Sequence, residues 1–149
     1  MSRGKRNPDT PFMSTTAISP EKTAGEIQEL LGRAGAKHVM LEFGDNREIV
    51  AVSFSIAIKG REVLFRLPVR WQKHLALLER QSKKPVDPEQ ARRTAWRVAL
   101  RWLEAQLAFV ETEMVEVPEI MLPFVVEGRG QVTLYEKLSQ SGFLLEHQK

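Results

Sequence analysis

The chain predicts an α+β domain: a three-stranded antiparallel meander packed on one face by helices, with a long helix in its C-terminal half. Three observations carry this. The clearest period-two run covers residues 50–58, where Val50, Val52, Phe54, Ile56 and Ile58 alternate with smaller residues. Shorter alternating runs lie on either side of it, across brief Gly-containing turns, which predicts neighbouring antiparallel strands. Segments of helical spacing precede and follow the strands, two of them opened by a capping signal.

Residues 1–18 are rich in Ser, Thr, Pro and Asn and show no periodicity, so they are read as a disordered basic arm carrying Arg3, Lys5 and Arg6. No apolar stretch follows these cations, as a signal peptide would require. Residues 19–149 are read as one domain. Ser19-Pro20 is a helix start, an N-cap followed by proline at the first helical position. Ala24, Ile27, Leu31 and Ala34 then keep helical spacing until Gly32 and Gly35 stop the helix, and Glu21, Glu26 and Glu29 mark its outer face.

Val39, Leu41 and Phe43 form the apolar face of a first strand. Gly44-Asp45-Asn46-Arg47 turns into the central strand, and Lys59-Gly60 turns into a third, with Val63, Phe65 and Leu67 inward. Residues 69–81 predict a helix with Trp71, Leu75 and Leu78 on one side, then a basic loop with Lys83 and Lys84. Asp87 and Gln90 have the spacing of a capping box. The helix they open is expected over residues 88–114, laying Ala95, Val98, Ala99, Trp102, Leu103, Leu107 and Val110 on the sheet. Pro118 and Pro123 limit the next segment to a helical turn and an extended piece through Phe124 and Val126. Gly128-Arg129-Gly130 is a loop, and a short helix is expected over residues 133–139.

Composition excludes several classes. No apolar run approaches the roughly 20 residues that cross a bilayer, so no membrane partner is expected. The chain has no Cys, which removes disulfides, thiolate nucleophiles and cysteine-rich zinc sites, and fits a reducing cytoplasm. His38, His74 and His147 form no close pair or metal-binding spacing; Arg70 to His74 is a basic pair without a nucleophile. Glu42, Asp45, Glu48 and Glu62 lie in or near the strands but lack the Glu-x-Lys element of a metal-dependent nuclease. Phosphate-binding glycine loops and the serine-hydrolase elbow are also missing. The reading is therefore non-catalytic, with no cofactor and no metal.

Charge is where the sequence is most informative. The net charge of +3 conceals a basic half and an acidic half. Residues 59–101 hold twelve Lys or Arg against four acids, an excess of +8; residues 102–136 hold one Arg against seven Glu, an excess of -6. Within the basic half, Arg93, Arg97 and Arg101 recur every four residues, nearly in line on a helix, with Arg92 beside them. Glu89 is placed to pair with Arg93 and Glu104 with Arg101, which leaves Arg92 and Arg97 needing partners. Phosphates would serve. The expected nucleic-acid contacts are thus Arg92, Arg93, Arg97 and Arg101, with Lys83, Lys84, Arg70 and Lys73 around them. Trp71 and Trp96 are candidates for stacking on bases, against the plainer reading of both as core residues. A basic half beside an acidic half also suits a homo-oligomer, in which one copy answers the charge of the next.

The stretch Arg93-Thr94-Ala95-Trp96-Arg97, continued by Trp102-Leu103-Glu104-Ala105-Gln106-Leu107, Met121-Leu122-Pro123-Phe124 and Thr133-Leu134-Tyr135, resembles a family of small uncharacterised proteins of phages, prophages and other mobile elements. The resemblance covers residues 19–136 and is most specific over residues 93–107. It implies a role in DNA metabolism or in evading host defence. In element order alone, the chain is similar to the core of single-strand annealing recombinases, which form rings or filaments and hold single-stranded DNA in a basic groove. Two expectations follow: a single-stranded-DNA-binding protein, or an adaptor or inhibitor docking on a host or phage nucleic-acid enzyme.

Overall fold

The structure is a computed structural model that describes residues 11–82, 84–127 and 131–143. Its elements are α1 (Pro20–Arg33), β1 (His38–Phe43), β2 (Ile49–Ile58), β3 (Arg61–Pro68), α2 (Trp71–Ser82), α3 (Pro88–Glu111), α4 (Val117–Met121), a 3-10 turn (Leu122–Phe124) and α5 (Leu134–Gln140). The α+β class and the meander are as the sequence predicts: the strand order is β1-β2-β3, antiparallel throughout.

Local chemistry explains the joints. Ser19 caps α1, its hydroxyl accepting from the Lys22 amide at 3.1 Å. The β2–β3 hairpin closes through Lys59 and Gly60, both with positive φ (51° and 78°), and pairs Ile58 with Arg61. This is the two-residue turn whose twist matches the strands it joins, and Gly60 takes its second position without a Cβ clash. On the β1–β2 side, Glu42 pairs with Ala51 but Phe43 pairs with Ile49, so Val50 is an extra residue in β2. Such a bulge re-aims the side chains beyond it. Ile49 therefore joins the core in place of Val50, and Phe43, expected inward, is exposed.

The core lies between one face of the sheet and α1 with α3. Val52, Phe54, Phe65 and Leu67 meet Ala24, Ile27 and Leu31 of α1 and Trp96, Leu100 and Leu103 of α3. Phe54 stacks on its neighbour Phe65, with ring centroids 5.3 Å apart. α3 is flanked by α1 and α2, so more than a narrow stripe of it is covered. Of the line expected to lie on the sheet, Ala95, Leu103 and Leu107 are buried, Val98, Ala99, Trp102 and Val110 are only partly so, and Trp96 and Leu100 are buried beside them.

Asp87 caps α3 as expected, accepting from the Glu89 amide at 3.0 Å. Gln90 does not complete the box. Its amide donates to the carbonyls of Ser14 and Thr16 at 2.8 and 3.0 Å, which ties residues 11–18 to the start of α3. The remainder of the expected arm, with Arg3, Lys5 and Arg6, lies outside the described residues, as do Gly128-Arg129-Gly130 and His147. After the 3-10 turn, Val125 bridges Phe65 on the outer edge of β3, and Val126 bridges Thr133, which starts α5.

Candidate nucleic-acid interface

The arginines of α3 are engaged by protein, each differently. Arg97 is 4% exposed. Its Nη1 donates to the Glu26 carboxylate of α1 and, at 3.3 Å, to the Thr23 hydroxyl. Arg92 pairs with Glu89 at 2.6 Å, taking the acid expected for Arg93, and its guanidinium lies 4.7 Å over the Trp71 ring. Arg93 donates twice to Gln90 Oε1, at 3.1 and 2.7 Å. Gln90 is neutral, so Arg93 is oriented but keeps its full charge. Arg101 pairs with Glu104 at 2.8 Å, as expected, with both side chains well exposed. An exposed pair of this kind contributes at most about 1 kcal/mol and exchanges readily for another anion.

The sequence missed the Arg97 partner because Glu26 is remote in the chain. The available signal was the acidic face of α1, read as solvated. Trp96 is 0% exposed and so stacks on nothing outside the protein. Trp71 is half-buried beneath Arg92.

The other flank of α3 is different. There Ala95, Val98, Ala99 and Trp102 face Leu67 and Val69 of the sheet side, leaving a cleft of about 320 Å³. Trp102, expected in the core, is half-buried instead and forms part of the cleft wall. Its ring meets the edge of Phe124 at 5.7 Å and 72°. The wall is completed by Arg70, Lys73 and His74 at the start of α2. A second depression shares Arg70, Lys73 and Phe124 and extends to Tyr135 of α5. Among the described residues no acid lines either depression.

Arg70 and Lys73 are exposed. Among the described residues neither enters an ion pair. The first turn of α2 also carries no acid to offset its positive end. Burial holds the His74 imidazole below its ordinary value, so it is neutral at neutral pH. Lys84 is exposed in the loop between α2 and α3, and Lys83 lies outside the described residues. The structure thus separates the eight expected contacts. Arg97 and Arg101 turn to the α1 flank and its side of α3, while Arg70 and Lys73 stand over the cleft on the α2 flank.

Two of the acids considered for metal chemistry are held by other side chains. Glu42 accepts from Arg66 Nη2 and Nε at 2.6 and 3.3 Å, and Glu62 accepts from the Ser55 hydroxyl at 2.7 Å. Among the described residues no three His, Asp or Glu side chains stand close enough to hold a metal ion, and no helix is long and apolar enough to cross a membrane. Set against family models, curated proteins and solved structures, the chain matches none.

Proposed function

We propose that the protein binds nucleic acid without acting on it, favouring single-stranded DNA, and holds the phosphate backbone through the α2 flank of α3. One observation carries the reading: Arg70 and Lys73 stand exposed and without an acid partner among the described residues, over a cleft with no acid in its walls. Uncompensated cations cost stability through mutual repulsion unless an anion arrives. Phosphate is a fitting anion, because each one neutralised releases a counterion. Lys84, exposed in the loop after α2, and Arg93, unneutralised on the side of α3 that carries Arg97, add positive charge outside the cleft. Arg92 and Arg97 are assigned to holding the fold, and Arg101 to a weak outer contact.

Self-assembly belongs to the same proposal. The acidic residues 102–136 of one copy would answer the basic residues 59–101 of the next. A phage or mobile-element setting rests on the resemblance over residues 19–136. The test is a titration of single-stranded and duplex oligonucleotides at several salt concentrations, with light scattering to follow assembly. Binding that weakens steeply with salt supports the reading, and no binding at low salt removes it.

A second reading is kept on a separate observation. Leu122, between Pro118 of α4 and Pro123 of the 3-10 turn, is more than half exposed. An exposed leucine there suits the anchor of an adaptor or inhibitor docking on a host or phage nucleic-acid enzyme. Capture of a defined partner that survives nuclease treatment, and is lost in Leu122→Asp, would favour it.

A further inference from the structure

We infer that the cleft between α2, α3 and the 3-10 turn is a slot for an unpaired base of a single strand, whose flanking phosphates lie on Arg70 and Lys73. The inference rests on the nucleic-acid-binding reading and specifies its ligand. Phosphate contacts alone account for Arg70 and Lys73 but not for what lies between them. The floor is largely apolar, and the aromatic rings in it and beside it stay partly open: Trp102 in the floor is half-buried, and Tyr135 in the adjoining depression is 46% exposed. Trp102 and Phe124 meet edge to face, which leaves ring surface turned toward the cleft. Tyr135 borders the adjoining depression next to Phe124 and tilts against Phe143 at 5.8 Å.

A closed apolar ligand would not need two cations at the rim, and a free inorganic anion would not need the aromatic floor. A nucleotide has both parts, a planar base with a π-face and a phosphate on each side. Stacking on aromatic side chains is indifferent to base identity, so the slot supplies affinity for single strands without sequence choice. A duplex keeps its bases stacked inside and presents only phosphates. The volume of about 320 Å³ lies at the lower end of small-ligand sites, which run from about 300 to 1,000 Å³. Space of that size admits a base.

The experiment uses the intact chain and two labelled oligomers of equal length and charge: oligothymidylate, and the same backbone with abasic sites throughout. Affinities are read by fluorescence anisotropy across a salt series. Oligothymidylate is expected to bind about 10- to 100-fold more tightly, the worth of one or two stacked bases, with the same salt slope for both probes. Tyr135→Ala, at an exposed position, is expected to narrow the gap between the two probes severalfold. Quenching of tryptophan emission by oligothymidylate is expected to disappear in Trp102→Phe. Equal affinities for the two probes, both salt-dependent, would overturn the slot and leave the phosphate reading standing. Failure of both probes to bind at low salt would overturn both.

Discussion

The Arg97 guanidinium, almost wholly buried on α3, is held by the Glu26 carboxylate of α1, which remains partly exposed. The pair joins two helices whose apolar sides already meet in the core. It also explains why an arginine stripe at regular spacing is not a free basic surface. A buried charge is tolerated only with a partner, and removal of that partner costs more than replacement of the whole pair by apolar groups.

This asymmetry gives a first prediction. Glu26→Ala leaves Arg97 buried and unanswered and is expected to cost about 2–4 kcal/mol in chemical denaturation. Arg97→Met, of similar length and uncharged, leaves Glu26 with access to water and is expected to cost about 1 kcal/mol. Equal losses from the two variants would show that the arginine stem, not its charge, is what α1 holds.

A second prediction concerns Arg66. It spans the face of the sheet away from the helical layer, bonding Glu42 on β1 at 2.6 Å and approaching Glu136 of α5 at 3.8 Å. The arrangement uses the planar fork of a guanidinium, which an ammonium cannot reproduce. Arg66→Gln should therefore destabilise by about 1–3 kcal/mol and Arg66→Lys by nearly as much. Hydrogen exchange in α5 should rise in both. Full rescue by lysine would show that only the charge of Arg66 matters.

Much of this fold was legible in the sequence, since period two and period 3.6 report which residues face a core. Ser19, Asp87 and the Lys59-Gly60 turn placed their elements through local chemistry that a sequence displays directly. The larger departures share one cause, contacts between residues distant in the chain. Gln90 turned from its own helix start to Ser14 and Thr16, Arg97 found Glu26, and α3, flanked by α1 and α2, buries Trp96 and leaves Trp102 half-buried. Two departures are local: Glu89 pairs with Arg92 instead of Arg93, and Val50 is a bulge that no Gly or Pro announces. In the candidate site, Arg70 and Lys73 were legible only as members of a basic block. Their standing above Trp102, Phe124 and Tyr135 depends on the fold.

His74 provides a third prediction, with its sign fixed by burial. The imidazole is held below its ordinary value of about 6.5 in the folded protein. Between the folded and unfolded values the unfolded chain binds more protons, so stability rises with pH across that window. Stability is complete above about pH 6.5 and is lost as the pH falls toward the lowered folded value. His74→Gln removes this contribution. The difference in urea midpoint between wild type and variant should therefore change between pH 7.5 and pH 5, with the wild type losing more. A constant difference would mean that burial does not perturb this histidine.

The last prediction separates the two flanks of α3. Arg70 and Lys73 enter no ion pair among the described residues, whereas Arg97 is buried and Arg101 is matched by Glu104. If the α2 flank carries the phosphates, Arg70→Gln with Lys73→Gln removes two counterion-releasing contacts. The salt slope for a single strand should then flatten by about 1.4, and affinity at low salt should fall by more than tenfold. Arg101→Gln on the α1 flank should change affinity by no more than about twofold, because its Coulombic worth is already shared with an exposed acid. Neither substitution touches the core, so thermal midpoints should stay close to wild type and a binding loss can be read as one. The reverse ranking, with Arg101→Gln the more damaging, would move the nucleic-acid contact back to the arginine stripe and away from the aromatic cleft.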